Sequence, residues 1–73
     1  HPVDSSRIRE IGWSPEGLWV QFIRGHVYLY ANVGSAFFEQ MLAIPSRGPT
    51  PDTSKGKFLG YYIIPYYAAM GPL

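Results

Sequence analysis

Cysteine is absent from all 73 residues of this sequence. Disulfide bonds and thiolate metal ligands are therefore excluded as ways of stabilising a short chain. Because a chain of this size buries only about 60% of its extended-state surface, its core needs large apolar groups. The composition provides them, since 47% of the residues are hydrophobic and 16% are aromatic, against 15% charged. These proportions predict a single folded domain over residues 1–73 rather than a disordered chain.

Net charge and long apolar runs are also scarce. The formal charge of +1 is small for a protein that binds nucleic acid through charge alone. The longest apolar run, residues 61–70, is much shorter than a bilayer span and is interrupted by Pro65. The first residues are polar and charged, unlike a secretory signal. Together with the lack of cysteine, these features predict a cytoplasmic protein without a membrane span.

Side chains suited to catalysis or metal binding are few and dispersed. A nucleophile–base–orienter set would need a second placed histidine or a cysteine, and the chain has only His1 and His26. The acidic residues are spread along the chain without the spacing of metal ligands: Asp4, Glu10, Glu16, Glu39 and Asp52. We therefore expect no enzymatic activity, no metal site and no cofactor.

Three segments are predicted to form an antiparallel meander, at about residues 7–13, 18–23 and 26–31. In the second segment, apolar residues alternate with other types at Leu18, Val20 and Phe22, which is the period of a strand. The segments are separated by short stretches that contain proline and glycine, as turns do.

The register of the second hairpin decides which residues share a face. Arg24 and Gly25 fit a two-residue hairpin loop, since such loops favour glycine. With that loop, Tyr28 and Tyr30 lie on the same face as Trp19, opposite the aliphatic face of the sheet. A slip of one residue would exchange the faces.

One main helix is predicted at about residues 35–44. Phe37, Met41 and Ile44 recur at helical spacing, and Pro45 ends the helix. Residues 45–53 form a loop, the segment from residue 57 to 64 is a short helix or an extended arm, and residues 68–73 form a tail. The predicted fold is α+β: a small three-stranded antiparallel meander packed by one main helix, with a short C-terminal helix or arm.

Taken in order, these segments resemble the KTSC domain, a short module found at the C-terminus of some lysyl-tRNA synthetases and as a stand-alone bacterial protein. Its opening motif is matched by Ser5, Ser6, Ile8, Ile11, Gly12 and Trp13. Its strand motif and its central tyrosines are matched by Leu18, Val20, Phe22, Tyr28 and Tyr30. Its late motif is matched by Ser54, Lys55, Gly56, Lys57, Phe58 and Ile63. The likeness covers about residues 3–67.

Three features depart from the family pattern. The loop at residues 45–53 resembles an insertion, Gly60 stands where the family tends to have asparagine, and Ile64 stands where it tends to have arginine. The family itself has no assigned function, although RNA binding has been suggested from the proteins in which it occurs. The resemblance therefore implies RNA as a candidate ligand class rather than an activity.

An aromatic strand face is the first candidate binding surface. Trp19, Tyr28 and Tyr30 resemble the stacking platforms on which RNA-binding sheets hold unpaired bases. The alternative is that these rings form a second small core, covered by the tyrosines of the C-terminal segment. We favour the packed arrangement, since aromatic residues of small domains mostly pack.

A basic patch is the second candidate. Arg47, Lys55 and Lys57, with Arg24 at the hairpin tip, could contact phosphates beside glycine-rich backbone. The alternative is an ordinary solvated loop, which we favour because Asp52 dilutes the positive charge.

The leading functional hypothesis is a small non-catalytic module that binds nucleic acid, RNA more than DNA. Its proposed contact residues are Trp19, Arg24, Tyr28, Tyr30, Arg47, Lys55 and Lys57. The alternative is a protein-interaction or self-association module that uses the apolar, tyrosine-rich residues 61–73. A third interpretation is a pocket for a nucleotide-like ligand between the sheet and this segment.

Overall fold

In the computed structural model, which describes residues 1–5 and 7–73, the chain forms an antiparallel sheet with two helices. The strands, in the sheet order β1-β2-β3-β4, are β1 (Ile8–Ser14), β2 (Gly17–Phe22), β3 (Val27–Ala31) and β4 (Ala69–Met70). The helices are α1 (Ser35–Ala43) and α2 (Lys55–Phe58), and α2 continues into a π-helical turn (Leu59–Ile63). A 3₁₀ turn (Pro51–Thr53) precedes α2.

The predicted α+β class and the antiparallel sheet are confirmed. The first three strands and α1 begin and end within one residue of their predicted positions. The predicted number of strands is wrong, because the two-residue β4 from the tail adds a fourth strand beside β3. Ser6, which belongs to the opening motif of the resemblance, lies outside the described residues.

The predicted register of the second hairpin is wrong by one residue. The amide of Phe22 donates to the carbonyl of His26 (2.9 Å), so the loop has three residues rather than two. The last of them, Gly25, has a φ of 94°, which a glycine adopts without strain, and its amide donates to the Phe22 carbonyl (2.8 Å). A three-residue loop that ends in such a glycine is a common hairpin connection. The slip places Tyr28 opposite Val20 and turns it to the other face.

The face of the sheet that packs against the helices is the core face. Cross-strand pairing places on it Ile11, Leu18, Val20, Tyr28 and Tyr30. From α1, Met41 is fully buried in the same cluster, and Phe37 packs against it. The segment of α2 and the π-helical turn contributes Phe58, Leu59 and Ile63. The core is therefore a single layer between the sheet and both helical segments.

The opposite side of the sheet is the outer face. It carries Glu10, Gly12, Trp19, Gln21, Val27 and Leu29. Glu10 is exposed, Trp19, Gln21 and Val27 are half-buried, and Leu29 is buried between neighbouring strands. This face is consequently a mixture of aromatic, aliphatic and polar groups.

The C-terminal segment returns along the free edge of β3. The Ala31 amide donates to the Ala68 carbonyl (3.0 Å), and Leu29 pairs with Met70. Tyr62 and Tyr67 pack against the core. Within the described part of the chain, no helix is long and apolar enough to cross a membrane.

Candidate functional site

Three separate segments of the chain meet at one concave surface of about 250 Å³, which we call the basic cleft. The segments are the residues that precede β1, the loop after α1, and the start of α2. The cleft is lined by Ser5, Arg7, Ser46, Arg47, Gly48, Ser54, Gly56 and Lys57. Two hydrogen bonds to backbone carbonyls bring the last two segments together: the Lys55 amide donates to the Pro45 carbonyl (3.1 Å), and Lys57 Nζ donates to the Gly48 carbonyl (2.8 Å).

The described lining of the cleft has three cationic side chains and no acidic one. Arg47 lies on the rim, where its Nε donates to the Asp4 carbonyl oxygen (3.3 Å). Its guanidinium also stands 3.5 Å from the Asp4 carboxylate, and both side chains are exposed. An exposed ion pair of this kind is weak, so an incoming anion can replace the carboxylate.

Serine hydroxyls and a glycine shape the floor. Ser5 Oγ accepts from the amide of Arg7 (3.1 Å), and Ser54 Oγ accepts from the amide of Lys57 (3.4 Å). A Cβ on Gly56 would make an ordinary van der Waals contact with the Arg7 side chain, at 3.6 Å, so Gly56 and Arg7 are close neighbours on the floor of the cleft. The cleft thus combines cations with hydroxyl and backbone groups, the usual partners of phosphate oxygens.

Asp52 was expected to offset the positive charge of the basic patch, but it lies outside the described lining of the cleft. Its carboxylate accepts a hydrogen bond from the hydroxyl of Tyr62 (3.1 Å). That hydrogen bond raises the pKa of Tyr62 above the ordinary value of tyrosine, because it favours the protonated phenol. Asp52 is absent from the described lining of the cleft, where Asp4 is the neighbouring acid.

Lys55 was predicted to contact phosphates, but the structure places it away from the surface. The side chain is buried, and its Nζ donates to the carbonyl of Ile44 at the end of α1. Burial lowers the pKa of this ammonium below the ordinary value of lysine. Lys55 therefore joins two helical segments and does not line the cleft beside Lys57.

The predicted aromatic platform of Tyr28, Tyr30 and Trp19 does not form. Tyr30 is 5% exposed on the core face, and Tyr28 is half-buried beside it with an edge-to-face contact to Phe22. Burial raises the pKa of Tyr30, with a smaller contribution from Tyr28. The buried Tyr30 ring offers no face to a nucleobase. Of the two arrangements left open by the sequence, the favoured one, in which the tyrosines pack, is the one observed, but they pack in the main core and not in a second one.

Trp19 lies on the outer face, apart from both tyrosines. There it borders a second concavity of about 330 Å³, which we call the Gly12 pocket. The pocket is lined by His1, Glu10, Ile11, Gly12, Trp19, Gln21 and Val27. Arg24 is exposed at the tip of the β2–β3 hairpin, next to Ile23, whose amide donates to the Arg7 carbonyl (2.8 Å).

Arg7 and Ser5 line the cleft but are not among the site residues predicted from the sequence. The signal available was weak: a serine and an arginine in a polar segment just before a strand. Their proximity to residues 54–57 depends on how the chain folds back, which no local pattern indicates. Among the described residues, no group of three or more histidine, cysteine or acidic side chains is arranged to hold a metal ion.

Comparison with known proteins agrees with the architecture. The family model of the KTSC domain matches residues 4–49. The crystal structure of a KTSC domain protein from Yersinia pestis is similar, with a TM-score of 0.75 and 29% sequence identity over 96% of this chain and 90% of that one. A search of curated proteins found no match.

Proposed function

The chain belongs to the KTSC domain family, and we propose that it is a non-catalytic module that binds single-stranded nucleic acid, RNA in particular. One observation carries the proposal: Arg7, Arg47 and Lys57 come from three separate segments and converge on one cleft. Arg47 has only an exposed, weak ion pair with Asp4, and phosphate oxygens accept well from arginine and lysine.

The number of cations favours a single strand over a duplex. Duplex-binding proteins commonly neutralise about six to ten phosphates, which demands a strongly basic surface. This chain has a net charge of +1 and three cations at the cleft. Such a site suits a few phosphates of a flexible strand. Arg24 at the hairpin tip would add a further contact along the same edge.

The proposal is tested by titrating the protein with a fluorescent single-stranded RNA of about ten nucleotides, at about 50 mM and about 200 mM salt. Arg47→Ala is expected to weaken binding about fivefold at low salt and to reduce the salt slope by about 0.7, the value for one phosphate contact of a single strand.

The matched control is Arg9→Ala, which removes an exposed arginine of β1 from outside the cleft. This variant should keep the affinity and the salt slope of the parent protein. Absence of RNA binding at low salt, or equal losses in both variants, would reject the proposed site.

A second candidate function rests on exposed apolar side chains of the C-terminal segment. Tyr61, Ile64 and Tyr66 are 61%, 43% and 77% exposed on consecutive turns. Exposed apolar clusters of this kind mark protein-interaction surfaces. Light scattering over a concentration series discriminates: a mass that rises with concentration, and falls back to the monomer in Tyr66→Ser, favours self-association. A mass that stays that of the monomer at all concentrations would contradict self-association.

A further inference from the structure

Gly12 occupies the middle of β1 although its backbone does not require glycine. Its φ lies outside the left-handed region, unlike that of Gly25. A Cβ at this position would meet no atom of the described structure within 4 Å. Because glycine weakens the interior of a strand, its presence here without a conformational or packing cause indicates that the space itself is used.

That space opens into the Gly12 pocket on the outer face, which Gly12 helps to line. Gly12 pairs with Trp19 across the β1–β2 ladder, and Glu10 pairs with Gln21 one step further along. Paired side chains of an antiparallel ladder lie about 5 Å apart on the same face, so these groups surround one opening. Its volume of about 330 Å³ is near the lower end for small-molecule sites, which suits one planar group.

Trp19 provides a fixed plane beside this opening. Its indole Nε1 donates to Ser14 Oγ (2.8 Å), which holds the ring in one orientation on the sheet. The indole is half-buried, so part of the ring remains accessible. Unpaired nucleobases bind by stacking on such rings, and a ring that is already held loses little entropy on binding.

Glu10 and Gln21 provide a polar edge that discriminates among bases. A carboxylate such as that of Glu10 only accepts hydrogen bonds, whereas the Gln21 amide also donates. Guanine presents two adjacent donors, N1–H and N2–H, next to the acceptor O6. Adenine N1 and cytosine N3 would instead point a lone pair at the carboxylate, and uracil offers a single donor.

We infer that the Gly12 pocket binds a guanine base of a single-stranded RNA, with stacking on Trp19, N1–H and N2–H donating to Glu10, and Gln21 donating to O6. The inference rests on the proposed function, because the phosphates of the same strand occupy the basic cleft. It adds sequence preference to a contact that is otherwise independent of sequence.

The β2–β3 hairpin connects the two sites. On one side, the Ile23 amide donates to the carbonyl of Arg7, which lines the basic cleft (2.8 Å). On the other, Gln21 Nε2, at the pocket, donates to the Gly25 carbonyl (3.4 Å). Arg24 lies between these two contacts in the chain. It is positioned to meet a phosphate of a strand that passes from the pocket to the cleft.

The experiment compares uridine decanucleotides that carry one central guanosine, adenosine or cytidine with the unmodified uridine strand, by fluorescence anisotropy at about 50 mM salt. The guanosine strand is expected to bind about tenfold more tightly than the other three, the size of one good bidentate base contact. Equal affinity for all four strands overturns the inference and leaves the proposed function standing.

The pocket is then filled by substitution at Gly12. Gly12→Ala, Gly12→Val and Gly12→Leu should remove the guanosine preference progressively while affinity for the uridine strand stays constant. Since a Cβ at this position meets no described atom within 4 Å, the melting temperature of Gly12→Ala should stay equal or rise. If the Gly12→Leu variant still binds the guanosine strand more tightly than the uridine strand, the inference is overturned.

Glu10→Gln is the second variant, with Glu16→Gln, an exposed glutamate of the β1–β2 turn, as its matched control. Loss of the guanosine preference in the first variant alone is the expected result. Equal effects of the two variants overturn the assignment of Glu10.

A final experiment does not depend on RNA binding. Guanosine monophosphate should shift the indole N–H signal of Trp19, but not that of Trp13, which donates to the Val33 carbonyl (2.8 Å). Uridine monophosphate should shift neither. If no RNA binds at low salt, the proposed function fails, and this experiment alone tests guanine binding in the Gly12 pocket. A shift of the Trp19 signal with guanosine monophosphate supports guanine binding, and the absence of a shift overturns it.

Discussion

Lys55 and Lys57 are two positions apart in the chain but lie in different environments. Lys57 is exposed at the basic cleft, whereas Lys55 is 7% exposed and donates to the Ile44 carbonyl. Residues two apart on a helix point in different directions, so the same residue type has one binding role and one structural role here.

For Lys55→Ala we expect a loss of about 2 kcal/mol in the free energy of unfolding, because the partly buried Ile44 carbonyl loses its donor and the buried aliphatic stem loses its packing. Urea unfolding measures this loss. The salt slope of RNA binding by the folded variant should equal that of the parent protein, in contrast to Arg47→Ala. A reduced slope would place Lys55 in the cleft and contradict its assigned role.

Tyr30 makes stability depend on pH in the alkaline range. Its pKa is raised by burial in the folded state, so the folded protein holds the phenol proton when the unfolded chain has already lost it. Stability from this group is complete below about pH 10 and decreases as pH rises from there through the folded pKa.

We expect the free energy of unfolding to decrease between about pH 9 and about pH 11 by more in the parent protein than in Tyr30→Phe, which lacks the proton. Urea unfolding at both pH values gives the difference. Equal decreases in the two proteins would show that the Tyr30 pKa is not raised by folding.

At the scale of elements, the β2–β3 hairpin decides what the sheet presents on each side. Its three-residue loop ends at Gly25, whose φ is 94°. A side chain at this φ is strained, so Gly25→Ala should lower the free energy of unfolding by about 1 kcal/mol. A chevron or equilibrium urea series measures this, with Arg24→Ala as the control in the same loop. Equal stability of the two variants would contradict the loop geometry.

The same hairpin shows why the faces could not be predicted from the sequence. Arg24 and Gly25 are compatible with a two-residue loop and also with the end of a three-residue loop. The two registers differ by one residue, and both place apolar side chains on each face. Only packing against α1 and the π-helical turn selects the register that buries Tyr30.

Other elements carried stronger local signals. Phe37 and Met41 have helical spacing and Pro45 follows, which predicts α1 within a residue. In contrast, β4 has only the two residues Ala69 and Met70, too few for a periodic pattern, and forms because β3 offers a free edge. Local periodicity therefore predicts long elements, and long-range pairing determines the short ones.

At the scale of the molecule, the basic cleft is a product of tertiary structure. Arg47 and Lys57 could be proposed from the sequence because they lie in one glycine-rich region. Arg7 joins them only because Ser5 and Arg7 lie beside Gly56 at the start of α2. Tertiary structure also decides the aromatic part of the predicted site. Its three residues do not form one surface, because Trp19 lies on the opposite face of the sheet from Tyr28 and Tyr30.

The most direct measurement of the central claim is an amide chemical-shift map of the isotope-labelled protein during titration with the uridine decanucleotide at low salt. The largest shifts are expected at Arg7, Gly48, Gly56 and Lys57, around the basic cleft, and they should disappear at about 200 mM salt. Shifts centred on Tyr61, Ile64 and Tyr66, or no shifts at any salt concentration, would contradict it.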